Sequence, residues 1–197
     1  MKNYKLLQAV TLIALLSTLS YANSNGFYIG TDTTITDFGE QSLKVTNSDK
    51  STKTYKDIDS SHCNIKMGYQ HFHGNRLELY YRHNELDTKE GDIVTETVGI
   101  NYEWVFSSIS SETIKPYLLI GFGGGEATSS KIKSIDKAEA GEGSFGIGIH
   151  YQYNENIDLQ LGYTAISTGF DNFDDKDVDE TSTIDQDKII VGISYKF

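Results

Sequence analysis

Lys188-Ile-Ile-Val-Gly-Ile-Ser-Tyr-Lys-Phe197 closes the sequence, and its pattern decides the fold. Ile189, Val191, Ile193, Tyr195 and Phe197 share one parity and are all apolar. Lys188, Gly192, Ser194 and Lys196 share the other, with Ile190 the one apolar residue among them. Side chains alternate faces along a strand, so this stretch has one greasy face and one mostly polar face. A lone strand cannot bury such a face, so further strands of the same pattern are required.

Seven precede it. Gly26 to Ile35 sets Phe27, Ile29 and Ile35 against Tyr28, Gly30, Asp32 and Thr34. His62 to Gln70 sets Cys63, Ile65, Met67 and Tyr69 against His62, Asn64, Lys66 and Gly68. Arg76 to Asn84 sets Leu77, Leu79 and Tyr81 against Glu78, Tyr80 and Arg82. Thr95 to Phe106 carries Val98, Ile100, Tyr102, Trp104 and Phe106 opposite Gly99, Asn101 and Glu103. Lys115 to Gly123, Ser144 to Tyr153 and Ile157 to Ile166 repeat the plan, with Pro116 at a strand start where a missing donor does least harm. Polar links, among them Glu85 to Asp92, Gly124 to Gly143 and Ser167 to Asp187, read as loops. The long and short connections alternate, as in a meander whose alternate turns share one side of a membrane.

The two faces are the wrong way round for a soluble sandwich. The greasy parity is expected to carry no charge within the spanning stretches. Asp32, Lys66, Glu78, Arg82, Glu103 and Asp158 fall on the other parity, with His150. Nine glycines join them (Gly30, Gly68, Gly99, Gly121, Gly123, Gly146, Gly148, Gly162, Gly192). An eight-strand barrel has an interior just wide enough for side chains, so these glycines make room for Tyr28, Tyr80, Tyr117, Arg82 and His150. Lys66, Glu78, Arg82, Glu103 and His150 are the expected polar network of that lumen. A three-residue turn at His71 to His73 would set Lys66 directly opposite Glu78. The aromatics sort by strand end: Phe27, Tyr69, Trp104, Phe106, Tyr153, Tyr195 and Phe197 near one rim, and Tyr81, Phe122, Phe145 and Tyr163 near the other. That is the double girdle expected where lipid meets water. The fold class is therefore all-β: an eight-stranded antiparallel transmembrane β-barrel, wound up and down.

Residues 1–22 are set apart as an export signal. Lys2 and Lys5 precede an apolar run from Leu6 to Leu19, and Ser20-Tyr21-Ala22 offers small residues for cleavage between Ala22 and Asn23. The barrel then occupies 23–197, and loss of two lysines moves the formal charge from −11 to −13. This acidity argues against a nucleic-acid partner, which needs a basic face. One cysteine, Cys63, cannot form an internal disulfide. Thirteen Tyr and nine Phe beside a single Pro suit strands.

A strand apolar at every second position and ending on Phe197 resembles the C-terminal strand of outer-membrane barrels. In that family Ile193, Tyr195 and Phe197 would be read by the insertion machinery after delivery by periplasmic chaperones. Lys115-Pro116-Tyr117 running into a glycine-alternating strand is similar to the fifth strand of small OmpA/OmpX-type barrels, including the opacity and Ail-like surface proteins. The resemblance covers the whole mature chain, which is expected to depart from full-length OmpA in lacking a C-terminal peptidoglycan-binding domain. It implies a Gram-negative outer membrane with both termini periplasmic, membrane lipid as the surrounding partner and a monomer without cofactor. Contact with a host or surface ligand would fall to the loops.

Three function classes compete: a structural or surface-contact barrel, which the pattern favours, a narrow solute channel similar to OmpW-type proteins, and a lipid A-modifying enzyme. Ser61 and His62 are adjacent and so point to opposite faces, which defeats them as a local dyad. Gly141-Glu-Gly-Ser-Phe-Gly146 matches a dinucleotide fingerprint in letters but lacks the strand before and helix after it. His71-Phe-His73 has no third metal ligand nearby. Asp171 to Glu180 is oxygen-rich without EF-hand spacing, so a solvated acidic loop is expected, and no metal or catalytic residue is assigned.

Overall fold

The computed structural model describes residues 26–37, 42–46, 52–56, 58–71, 74–88, 91–106, 113–129, 138–171 and 181–197. The export signal with Ala22 and Asn23, His73, and 172–180 of the acidic stretch lie outside them. Among the described residues ten strands are present: β1 (Gly26–Asp37), β2 (Ser42–Thr46), β3 (Thr52–Lys56), β4 (Asp59–Gln70), β5 (Arg76–Thr88), β6 (Gly91–Val105), β7 (Ile114–Ser129), β8 (Ala138–Gln152), β9 (Ile157–Asp171) and β10 (Thr181–Lys196). They form one sheet in the order β1-β4-β5-β6-β7-β8-β9-β10-β2-β3, and a β1–β10 ladder closes it. Every pairing is antiparallel.

Ten strands make eight staves. β1 and β2 both run antiparallel to β10, so they are two pieces of one stave. β3 and β4, antiparallel to β2 and β1, are likewise one returning stave broken near Ile58. The β1–β10 ladder leaves neither of those strands with an open edge, while β3 pairs with β2 alone among the described residues.

The outward face is apolar. Ile65, Leu77, Leu79, Val98, Ile100, Ile147, Leu161, Val191 and Ile193 are all exposed, and Phe122 is 70% exposed. The inward face is polar and buried, with Lys66, Glu78, Arg82, Glu103 and His150 each at 3% exposure or less. Such a surface is stable only where the solvent is hydrocarbon.

Most of the expected loops are strand. β5 runs to Thr88 and β6 begins at Gly91, leaving only 89–90 to connect them. β7, β8, β9 and β10 likewise extend through much of 124–143 and 167–187. The cause is an inversion of faces beyond the apolar belt. There Glu85, Asp87, Asp92, Glu126 and Glu139 point outward and are exposed. Leu86, Ile93, Ala127, Ala138, Ala140, Phe170 and Ile184 point inward and are buried with Leu43 and Ile58 in one apolar cluster. The alternation is intact, but water now lies outside, so the sign reverses.

The turn after β4 corrects the expected register. β4 ends at Gln70 paired with Arg76, so the turn spans 71–75 and Gly74, at φ 88°, takes the left-handed position. Asn75 closes it, accepting from the His71 amide at 2.8 Å, while its side chain accepts from the Val105 amide at 2.9 Å. Two more turn residues than expected shift the partners by two. Lys66 therefore faces Tyr80, and Glu78 faces Gly68.

Candidate functional site

Within the membrane-spanning part the lumen is a packed polar core. Three tyrosines lie in it, and glycines on the neighbouring strands receive their rings. Tyr80 lies over the directly paired Gly99 and Gly123, and Tyr117 over Gly148 and Gly162. Tyr28 covers Gly68, where a Cβ would stand 2.6 Å from its hydroxyl oxygen. Any side chain at these glycines would displace a ring or the neighbouring backbone.

The charges sort into two linked groups. In the first, Lys66 Nζ lies 3.3 Å from Asp32 Oδ2 and 3.5 Å from Glu78 Oε1, and donates to Gln160 Oε1 at 2.6 Å. The diagonal placement still brings Lys66 and Glu78 together, because a lysine spans two residues of register. Tyr28 donates to Glu78 at 2.6 Å, and Gln160 donates to Tyr117 at 2.8 Å. Glu103 Oε2 meets His150 Nε2 at 2.9 Å, and Arg76 pairs with Asp158 beside them. In the second group Arg82 pairs with Glu142, which also accepts from Tyr80 at 2.8 Å and Thr97 at 3.3 Å. Lys188, fully buried, donates to Asn84 at 2.7 Å, and Asn84 donates to Gln186 at 3.0 Å. Buried charges in a low-dielectric interior need such partners to stay ionised.

Lys66, Glu78, Arg82, Glu103 and His150, the residues to which the sequence points, are buried on the inward face. The sequence reading missed Glu142, which lay in a presumed loop, and the roles of Arg76, Gln160 and Lys188. Because Lys66 serves two acids, the effects of Lys66→Met and Glu78→Gln on unfolding free energy are expected to be clearly non-additive. A double-mutant cycle with a coupling near zero would show the contact to be inert.

One arrangement was not foreseen. Thr34 Oγ1 lies 2.8 Å from His62 Nδ1, and His62 Nε2 lies 3.1 Å from Asp32 Oδ1. Ser61 does point away, as adjacency required. A hydroxyl, an imidazole and a carboxylate in series are the contacts that activate a nucleophile. Here His62 and Asp32 are buried at 3% and 4% exposure, and the cavity they share with Lys66 and Arg82 holds only about 10 Å³. That is room for about one water and none for an acyl group.

A closed barrel with an apolar exterior and a paired ionic interior has clear relatives. Residues 8–197 match the family described as outer membrane protein beta-barrel domain. The chain belongs to the outer-membrane β-barrel family. Its apolar belt accordingly sits in the outer membrane of a Gram-negative cell. The fold is similar to that of Neisserial surface protein A, NspA, with TM-score 0.59, 19% identity, and coverage of 90% of this chain and 100% of that one. It is also similar to the outer membrane protein OprG from Pseudomonas aeruginosa, with TM-score 0.52, 13% identity, and coverage of 87% and 96%. A comparison with curated proteins finds no match.

On the outside of this barrel, the end where β1 begins and β10 ends carries Phe27, Tyr69, Trp104, Phe106, Tyr153, Tyr195 and Phe197. Phe27 packs edge-on to Tyr69 at 5.2 Å, and Tyr195 to Phe197 at 5.4 Å. At the opposite edge of the belt the expectation of an uncharged face fails. His83 and Glu96 are directly paired on the outward side, with Glu85 Oε1 3.2 Å from His83 Nε2. They mark where the belt ends and water begins, since partly solvated charges are tolerated only near the interface.

Proposed function

We propose that this protein is a non-conducting, non-catalytic outer-membrane barrel that stabilises the membrane or makes surface contacts through its far end. The observation that carries the reading is the filled lumen: paired charges through the membrane, then an apolar plug of Leu43, Leu86, Ile93, Phe170 and Ile184 above them. An ion would have to displace buried partners and then cross a dry layer, each step opposed by desolvation. Purified barrel in planar bilayers is therefore expected to show no single-channel steps. Reproducible steps would favour the solute-channel reading instead.

The same reading sets both termini in the periplasm, so that the acidic walls around Glu85, Glu126 and Glu139 project from the cell. In it the chain works as a monomer without cofactor, and Ile193, Tyr195 and Phe197 serve the insertion machinery and periplasmic chaperones. A host or surface ligand would meet the projecting walls. The export signal is proposed to be removed after Ala22. Intact mass of the membrane-extracted protein is expected to correspond to Asn23–Phe197, and a mass retaining the first 22 residues would exclude cleavage there.

A further inference from the structure

We propose that the lumen carries a site for one ordered water at Gly121, held between Asn101 and Ser144. The three residues are direct partners in one inward-facing row: Asn101 on β6, Gly121 on β7 and Ser144 on β8. Gly68, Gly99, Gly123, Gly148 and Gly162 lie under tyrosine rings, so volume alone explains why they are glycine. Gly121 lies under none. A Cβ there would overlap two side-chain oxygens, Asn101 Oδ1 and Ser144 Oγ, and the next atom is Asn101 Cγ at 3.3 Å.

Both oxygens are buried, Asn101 at 2% exposure and Ser144 at 9%, and neither meets a hydrogen-bonding group of the protein. Leaving a buried polar atom unmatched is costly, so such atoms are paired with protein or with ordered water. The orientation of Asn101 is fixed from its other side. Its Nδ2 donates to Glu78 Oε2 at 3.3 Å, and a carboxylate only accepts, so Oδ1 is the atom turned to Gly121. The occupant must therefore donate to Asn101, and it can accept from the Ser144 hydroxyl.

Size and charge narrow the occupant further. Asn101 also lines the lumen cavity of about 10 Å³, with Leu119, which lies two residues before Gly121 on the same face of β7. That volume holds about one water. Lys66 and Arg82 line it against one acid, Asp32, so the net field repels a metal cation or an ammonium ion. A neutral molecule of one heavy atom that both donates and accepts is water. Seated where the cavity meets Gly121, it carries the Lys66–Glu78–Asn101 chain across β7 to Ser144 on β8.

Crystal structures of the folded barrel and three variants, at a resolution that shows ordered water, test this. The wild type is expected to hold one water within about 2.7–3.2 Å of both Asn101 Oδ1 and Ser144 Oγ. Ser144→Ala removes one contact, adds no atom and is expected to lose the water. Gly121→Ala fills the place, and is expected to lose the water and to unfold at lower urea than the wild type. Gly143→Ala, at an outward glycine of β8 where a Cβ meets nothing within 4 Å, is expected to keep both the water and the wild-type midpoint. If Gly121→Ala does not fold, Ser144→Ala decides alone. A wild type in which Ser144 donates directly to Asn101 Oδ1, with no water between them, overturns the inference. So does a water that persists at full occupancy in Ser144→Ala, or anomalous scattering from rubidium soaked into that place. Each of these outcomes leaves the lumen filled, so the non-conducting reading stands or falls on the bilayer measurement alone.

Discussion

Ile147→Arg is expected to destabilise the folded barrel in lipid vesicles by about 2–4 kcal/mol, the cost of an arginine facing lipid near the midplane. Ile147 is half exposed on the outward face of β8, midway along the strand, between Leu118 and Tyr163 on the neighbouring strands. Glu139→Arg, on the same face of the same strand but beyond the belt, is expected to cost far less, because its side chain already meets water. The comparison holds strand, face and substitution constant and changes only depth. Folding is followed by the mobility difference between boiled and unboiled samples, and stability by urea titration. Equal tolerance at the two positions would mean that the belt does not face hydrocarbon.

That depth dependence also explains which parts of the fold were legible in the sequence. Within the belt, alternation is strong because lipid demands apolar residues outside, and Ile189 to Phe197 or Phe145 to Ile149 announce themselves. Glu85-Leu86-Asp87 and Ala138-Glu-Ala140 alternate as strictly, but with acids outside and small or apolar residues inside. Their average polarity reads as loop unless the sign of the pattern is allowed to reverse. Glu142 was lost for that reason, and with it the partner of Arg82. The two-residue error at Lys66 and Glu78 has another origin. The length of a turn is set by local hydrogen bonds, here those of His71, Gly74 and Asn75, and alternation cannot distinguish registers that differ by two. Shifting by two keeps every side chain on its face, so the face of a residue is independent of the pairing, which was two residues out. The glycines were legible because crowding inside a narrow barrel is a volume argument, independent of register. The Thr34–His62–Asp32 series was not, since it depends on which residues of β1 and β4 lie side by side, and periodicity along either strand does not reveal that.

Arg82→Met is expected to be the most damaging single change in the lumen. Arg82 and Glu142 are at 3% and 6% exposure, and the ion pair is the one cationic contact of that carboxylate among the described residues. Removing one partner of a buried pair strands the other charge, at a typical cost of about 3–5 kcal/mol. Tyr80 and Thr97 continue to donate to Glu142, which softens the loss without supplying a counter-charge. Glu142→Gln in the same background removes the stranded charge, so the double variant is expected to recover much of the stability lost by Arg82→Met. Urea midpoints of the three variants folded in vesicles provide the readout. If Arg82→Met alone is silent, the guanidinium contributes nothing that a methionine does not. If the double variant is no better than the single one, the loss arises from packing over the Tyr80 ring, 4.8 Å from the guanidinium carbon, and not from charge. The order of the three midpoints therefore separates an ionic lumen from one that is merely full.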